Sequence, residues 1–211
     1  MRRGIIFDMD GCLIDSKEVQ KTALFESYRL VVGDDKCPTY EDYIKYTGDS
    51  IDNVLKKLGL PKEMAPTYRK LSCELVSKVI VNHELMELIK KFRKYGFLIS
   101  INTGKEHSRA IDILNYYGIN ELFDIVVGSD EVKNPKPNPD SIMYAIDGMN
   151  ASKDNVVMIG DGQNDILSAK SAGVRSILTR WYGDSNFVVG ADYVVNTVDE
   201  LQAVLKVLFD L

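Results

Sequence analysis

The sequence predicts an α/β fold: a mainly parallel sheet with helices on both faces, interrupted after its first strand by a helical segment. Three observations carry this. Short apolar runs of strand length alternate with amphipathic helical stretches from residue 82 to the end. A further apolar run, Ile5-Ile6-Phe7, stands at the start and ends in Asp8-Met9-Asp10-Gly11. Between the two, residues 17–81 contain helical patterns and no convincing strand.

In chain order, Ile5–Phe7 reads as a buried strand leading into a loop at Gly11. Val19, Ala23, Leu24, Tyr28 and Val31 recur at helical spacing over 17–31, and the Gly33–Pro38 stretch ends that helix. Helical patterns follow at Tyr40–Tyr46, Ile51–Leu58 and from Lys62 to about Val81, the last two separated by Gly59 and Pro61. From Asn82 the character changes. The helix Leu85–Tyr95 stops at Gly96 and the strand Phe97–Ile101 follows. The helix Ser108–Tyr117, the strand Ile125–Val127, a Pro-rich loop and the helix Ser141–Met149 come next. The strand Val156–Ile159, the helix Asp165–Ala172, the strand Ser176–Leu178, an edge strand Tyr193–Val195 and the helix Val198–Phe209 complete the series. Such alternation gives a parallel sheet, and Ile5–Phe7 belongs to it.

Composition narrows the class. The 211 residues carry 26 Lys and Arg against 31 Asp and Glu, a formal net charge of −5, with no basic block. Neither nucleic acid nor an anionic membrane surface is an expected partner. The apolar run behind Arg2 and Arg3 is too short for a membrane span or a signal peptide. Cys12, Cys37 and Cys73 are few, odd in number and widely spaced, which argues against a disulfide framework or a zinc site. A cytoplasmic protein with reduced thiols is expected, and oligomeric state is left open.

In a parallel sheet the strand ends converge on one rim, where α/β folds bind ligands. Four such ends carry chemistry here. The first holds Asp8 and Asp10, two acids whose crowding is costly unless a cation neutralises them; hard oxygen donors suit Mg²⁺. The second holds Asn102-Thr103-Gly104-Lys105, a hydroxyl beside a glycine ahead of a helix, which offers donors to an anion. The third holds Asn134-Pro-Lys136-Pro-Asn-Pro139, a stiff loop around one lysine. The fourth holds Gly160-Asp161-Gly-Gln-Asn-Asp165, with two more carboxylates. Each has an ordinary alternative: a capped turn, a helix N-cap, a solvated lysine, an acid favouring a helix dipole. Their joint occurrence in order on successive strand ends favours a site.

These segments resemble the four motifs of the haloacid dehalogenase-like superfamily of phosphohydrolases. Asp8-Met-Asp10-Gly11 is similar to the first, Thr103 to the second, Lys136-Pro137 to the third, and Gly160-Asp161…Asp165 to the fourth. Phe7–Ser16, Lys136-Pro-Asn-Pro-Asp140 and Ala169-Lys-Ser-Ala-Gly173 are close to the phosphoglycolate phosphatase and β-phosphoglucomutase branch. The resemblance implies a Rossmann-like core of residues 1–15 and 82–211, with an α-helical cap domain at 16–81. It implies a phosphatase acting on a small phosphorylated substrate, phosphoglycolate- or sugar-phosphate-like, through an aspartyl-phosphate.

In that reading Asp8 is the nucleophile and Asp10 the acid and base. Thr103, Gly104 and Lys136 hold the phosphate. Mg²⁺ sits on Asp8, the backbone carbonyl of Asp10 and Asp161, with Asp165 as a further ligand or as the carboxylate orienting Lys136. The dehalogenases that name the family lack the second acid, so Asp10 points to phosphoryl transfer. A phosphosugar mutase and an inorganic pyrophosphatase are the alternatives. The mutases carry an arginine shortly after a glycine in the cap, where this chain has Gly48-Asp49, although Arg69 or Lys70 could serve from another helix. Lys17, Tyr43, Lys45, Thr47 and Arg69 are the cap candidates for contact with a substrate, with a solvated helix residue as the ordinary reading of each. His83 and His107 are assigned no role, Cys12 is expected to be packing, and Trp181 is expected to support the rim loop.

Overall fold

The computed structural model describes residues 2–33, 36–46, 48–183 and 188–211. A six-stranded sheet forms the centre, and every strand pair in it is parallel. Its strands are β1 (Arg2–Phe7), β4 (Leu98–Asn102), β5 (Ile125–Val127), β6 (Ala151–Gly160), β7 (Arg175–Thr179) and β8 (Tyr193–Val195), in the order β5-β4-β1-β6-β7-β8. A separate antiparallel pair joins β2 (Ile14–Asp15) to β3 (Ile80–Val81).

β1 is central because both faces of it are apolar. Ile5 and Phe7 point to one layer and Ile6 to the other, as the two-residue period of a strand requires. The first layer packs Phe7 under α5 (His83–Lys94), α6 (His107–Tyr116) and α9 (Val198–Leu208) through Leu85, Ile89, Leu114 and Leu201. The second packs Ile6 and Met158 under α7 (Asp140–Met149) and α8 (Gln163–Ala172) through Ile142, Ala145 and Ala169. From β1 the chain runs outward to β4 and β5, then returns to the other side at β6. This reversal opens a crevice at the carboxyl ends of β1, β4 and β6.

The helical segment comprises α1 (Lys17–Val31), α2 (Tyr40–Ile44), α3 (Ile51–Lys57) and α4 (Met64–Glu74). It has its own apolar cluster around Leu24, Tyr28, Leu55, Met64 and Tyr68, separate from both layers of the sheet. Thr39 caps α2 and Ser50 caps α3 through their hydroxyls.

Two expectations need correction. The helix expected from Lys62 to about Val81 ends at Glu74, and a 3₁₀ turn at Val76–Lys78 follows it. The segment 17–81 also contains a strand after all, at Ile80–Val81. Its physical origin is tertiary: Ile80 and Val81 pair with Asp15 and Ile14, so the outgoing and returning connectors of the helical segment zip together. Two residues have no readable period. Elsewhere the expected elements fall within a few residues of those observed, with β6 extended backward to Ala151.

The separate cluster makes a direct forecast. Leu24→Ala removes a fully buried side chain from it and is expected to lower unfolding stability in urea by about 2–5 kcal/mol. A loss below about 1 kcal/mol would show that this cluster contributes little to holding the segment folded.

Candidate active site

The carboxyl ends of β1, β4 and β6 bring the four sequence segments together. Asp8 follows β1, and its N–H donates to the Ile159 carbonyl at 2.7 Å, so the ladder with β6 continues to the rim. Gly11 turns the loop with φ +73°, and a β-carbon there would lie 1.9 Å from a carboxylate oxygen of Asp161. Only glycine lets the two loops approach this closely.

Lys136 is the hub. Its ammonium is buried and donates to Asp8 at 2.6 Å, Asp165 at 2.6 Å and the Asn102 carbonyl at 2.9 Å. All three N–H bonds are thereby used. The rigid Pro-rich loop delivers the lysine, and its Lys136–Pro137 peptide is cis. Asp165 also accepts the Gly162 N–H at 3.0 Å, which ties the start of α8 to the lysine.

Oxygens of Asp8, Asp161 and Asp165 lie within 4.8 Å of one another. Burial is the main force on the Asp8 carboxyl, and with the negative charges of Asp165 and Asp10 it outweighs Lys136, pushing the pKa up to about 7. Burial and then Asp8 drive Asp161 well above the usual carboxylate range. On Lys136 burial works against the charge, yet Asp165 and Asp8 win and raise its pKa. One ammonium among three crowded acids leaves negative charge in excess. The donors are hard oxygens, so the set fits a divalent cation of the Mg²⁺ kind.

Asp10 is treated differently. Its carboxylate accepts from Lys105 at 2.6 Å and from the Ser16 hydroxyl, and it lies outside the three-acid cluster. Burial alone would raise its pKa, but Lys105 and Ser16 bring it below the ordinary value. The side chain faces a cleft of about 350 Å³ between the helical segment and the loop after β4. At Gly104 a β-carbon would sit 2.6 Å from the carbonyl oxygens of Gly48 and Asp49, so the two bodies touch beside Thr103. Thr103 is buried, and its hydroxyl accepts the Lys105 N–H at 3.2 Å.

Of the candidates in the helical segment, Tyr43 and Arg69 line the cleft. Lys17 and Lys45 do not; Lys45 pairs with Asp42 on the surface. Thr47 lies outside the described residues. Cys12 is fully buried, and burial raises its thiol pKa. Trp181 donates from its indole to the Cys12 carbonyl at 3.0 Å and so supports the rim loop. His107 pairs with Glu131 at 2.8 Å, away from the three-acid cluster. Sequence pattern assigns no role to two residues beside Asp10, Ser16 and Lys105. Both stand in the quoted segments, but only the folded chain shows that they converge on one carboxylate.

Fold and site together define a hydrolase of the α/β class with an acid-and-lysine centre at its sheet rim. The chain belongs to the haloacid dehalogenase-like hydrolase family, whose model matches residues 5–179. A pyrophosphatase PpaX of Halalkalibacterium halodurans is 30% identical over 200 residues, spanning 90% of this chain and 86% of that protein. The crystal structure of a predicted phosphatase from Clostridium acetobutylicum superposes with a TM-score of 0.79 at 26% identity, covering 98% of this chain and all of that one. CbbY from Rhodobacter sphaeroides, bound to xylulose-(1,5)bisphosphate, shares the fold with a TM-score of 0.82 at 22% identity, over 95% and 96% of the two chains. Among the described residues, no helix is long and apolar enough to cross a membrane.

The buried lysine gives a measurable consequence. Lys136→Met would leave Asp8 and Asp165 facing one another without their shared cation. Unfolding stability in urea is expected to fall by roughly 3–5 kcal/mol at pH 8. The loss should shrink at pH 5, where Asp8, with its pKa pushed up to about 7, holds a proton. An equal loss at both pH values would rule out uncompensated charge as the cause.

Proposed function

We propose that this protein is a Mg²⁺-dependent phosphatase that hydrolyses a small phosphomonoester through an aspartyl-phosphate on Asp8. The observation that carries it is the placement of Asp8 against Lys136, at 2.6 Å, within a three-acid cluster able to hold a divalent cation. Family membership and the similarity to a predicted phosphatase from Clostridium acetobutylicum support the same reading. In this proposal residues 1–15 and 82–211 are the catalytic core and 16–81 the cap, with the paired connectors at Ile14–Asp15 and Ile80–Val81 as the hinge between them.

Asp8, Asp161 and the Asp10 backbone carbonyl would hold Mg²⁺, with Asp165 as ligand or as the anchor of Lys136. The ion supplies charge neutralisation and polarisation of a phosphate oxygen. Thr103 and the Gly104 backbone N–H bind the other phosphate oxygens, and Lys136 turns the N–H it gives to Asp8 toward a phosphate oxygen, where charge spreads during transfer. Asp8 attacks phosphorus: its oxygen forms the new O–P bond as the ester O–P bond breaks. Asp10 gives its proton to the leaving oxygen, which departs as the alcohol. Water then attacks phosphorus, Asp10 takes its proton, and the bond to Asp8 breaks to release phosphate. Lys105 holds Asp10 ionised, the form that accepts the proton from water. An ester oxygen that displaces Lys105 removes the main cause of the lowered pKa and allows the acid form required in the first half.

Two features speak against the mutase alternative. Asp49, where a mutase would place a cation, has its carboxylate engaged by Lys57 at 2.8 Å and by Asn53. Arg69 is held by Asp52 and by Glu106. Pyrophosphate hydrolysis has support in the name of the relative from Halalkalibacterium halodurans, and a panel of metabolite phosphates with p-nitrophenyl phosphate tests it beside the monoesters. No phosphate release from any compound, with or without Mg²⁺, would refute the proposal.

Two further outcomes are expected. Asp8→Asn should lower kcat on the order of 10³-fold or more with an unchanged circular dichroism spectrum, since Lys136 keeps Asp165. Near-normal activity would remove Asp8 as nucleophile. The second concerns pH. An Asp8 carboxyl raised from 3.8 to about 7 makes the folded, metal-free protein bind more protons than the unfolded chain in that window, so its stability falls as pH rises through it. Cation binding needs the ionised form and reverses the loss. Saturating Mg²⁺ should therefore raise Tm by about 5 °C at pH 8 and under roughly 1 °C at pH 5. A shift independent of pH would exclude these carboxylates as the ligands.

A further inference from the structure

One face of α6 lines the cleft that Asp10 looks into, with Arg109, Asp112 and Ile113 at helical spacing. Three cationic side chains border this space, and two of them are already matched. Lys105 pairs with Asp10 at 2.6 Å. Arg69 is held by Asp52 and, at 2.8 Å, by Glu106. Arg109 has no carboxylate partner among the described residues: a terminal nitrogen donates to the neutral Ser72 carbonyl of α4, and its Nε is buried without a hydrogen bond. Asp112, one turn further along α6, is exposed to water and does not pair with it. Burial raises the pKa of the Tyr68 phenol and the Arg109 charge opposes that rise, which places the guanidinium near the Tyr43–Tyr68 hydroxyl pair, whose oxygens meet at 2.7 Å. A guanidinium is always charged and carries five N–H donors. One of them buried without an acceptor marks a place where an acceptor belongs.

We infer that Arg109 is a specificity-determining residue, whose guanidinium receives an anionic group, carboxylate or phosphate, carried on the leaving group of the substrate. This rests on the phosphatase reading above, in which Asp10 protonates the leaving oxygen and the leaving group therefore lies in the cleft. At about 350 Å³ the cleft is at the small end of ligand pockets, and Asp10 and Arg109 border the same space. The planar fork of a guanidinium matches the paired oxygens of a carboxylate or phosphate, whereas a neutral hydroxyl would leave its charge unanswered. The same guanidinium holds α4, and the anion would bind where the helical segment and the core meet. Arg109 stays protonated throughout: it binds and orients, and it moves no proton.

The test uses the full chain with Mg²⁺ and esters matched except for the charge of the leaving group. Phosphoglycolate and ethylene glycol bisphosphate are each compared with hydroxyethyl phosphate, and 3-phosphoglycerate with glycerol 3-phosphate. In at least one comparison kcat/KM should favour the anionic member by about tenfold or more, and whether carboxylate or phosphate gives the larger ratio identifies the group that Arg109 takes. Arg109→Gln should bring that ratio to within about twofold of one, and Arg109→Lys should restore part of it, because lysine keeps the charge and loses the fork. A ratio cancels any general loss from releasing the Ser72 carbonyl, so an arginine that only braces α4 would leave it unchanged. Ratios near one throughout in the wild-type protein, or a preference that survives Arg109→Gln, would overturn the inference. Calorimetry in the Asp8→Asn background, with and without Arg109→Gln, reads the same ratios in binding. A binding preference that Arg109→Gln abolishes, with no turnover of any compound by the wild-type protein, would instead refute the phosphatase reading and leave the assignment of Arg109 standing.

Discussion

The Lys136 ammonium, buried between Asp8, Asp165 and the Asn102 carbonyl, is the contact on which the rest of the site depends. A parallel sheet gathers its strand ends at one rim, and this chain places carboxylates on two of them, after β1 and after β6. Without a cation in the middle, those acids would repel one another in a space that water screens poorly. Lysine answers part of that charge and fixes three loops at once: the one after β1, the end of β4 and the start of α8. What remains unanswered is negative. That residue of charge, carried on hard oxygen donors, fits the cluster to a divalent cation.

Close approach is the second constraint. Gly11 lets the loop after β1 lie against Asp161, and Gly104 lets the loop after β4 lie against the backbone of Gly48 and Asp49. The first contact assembles the acid cluster. The second seats the helical segment on the rim, so that Asp10 looks into a cleft with walls from both bodies. The segment packs around its own apolar cluster and returns to the core through a two-strand ladder. Its packing is therefore largely its own and does not draw on either apolar layer of the sheet.

The two aspartates of the first loop illustrate how environment divides labour between identical side chains. Asp8 is buried among acids and its pKa is pushed up to about 7; Asp10, two residues on, is held below the ordinary value by Lys105 and Ser16. One carboxyl keeps its proton more readily than a free aspartate and the other gives it up more readily. The separation of roles comes from neighbours, not from residue type.

Much of this was legible in the chain before folding. Ile5-Ile6-Phe7 announces a strand with two apolar faces, Gly96 and Gly118 punctuate helices, and four chemistry-bearing loops fall in order on strand ends. Asp8, Asp10, Thr103, Lys136, Asp161 and Asp165 could be picked out because a parallel sheet sends its carboxyl ends to one rim, which is a property of topology and not of detail. What periodicity could not reach were pairings between distant residues: the Ile80–Val81 strand, too short to have a period, and the convergence of Ser16 and Lys105 on Asp10, 6 and 95 positions away. The sequence by itself determined which residues meet at the rim and the class of chemistry they support. Only the tertiary structure decided which carboxylate is paired, which is left with excess charge, and which faces the cleft, because ionisation and reach depend on neighbours that the chain brings together only when folded.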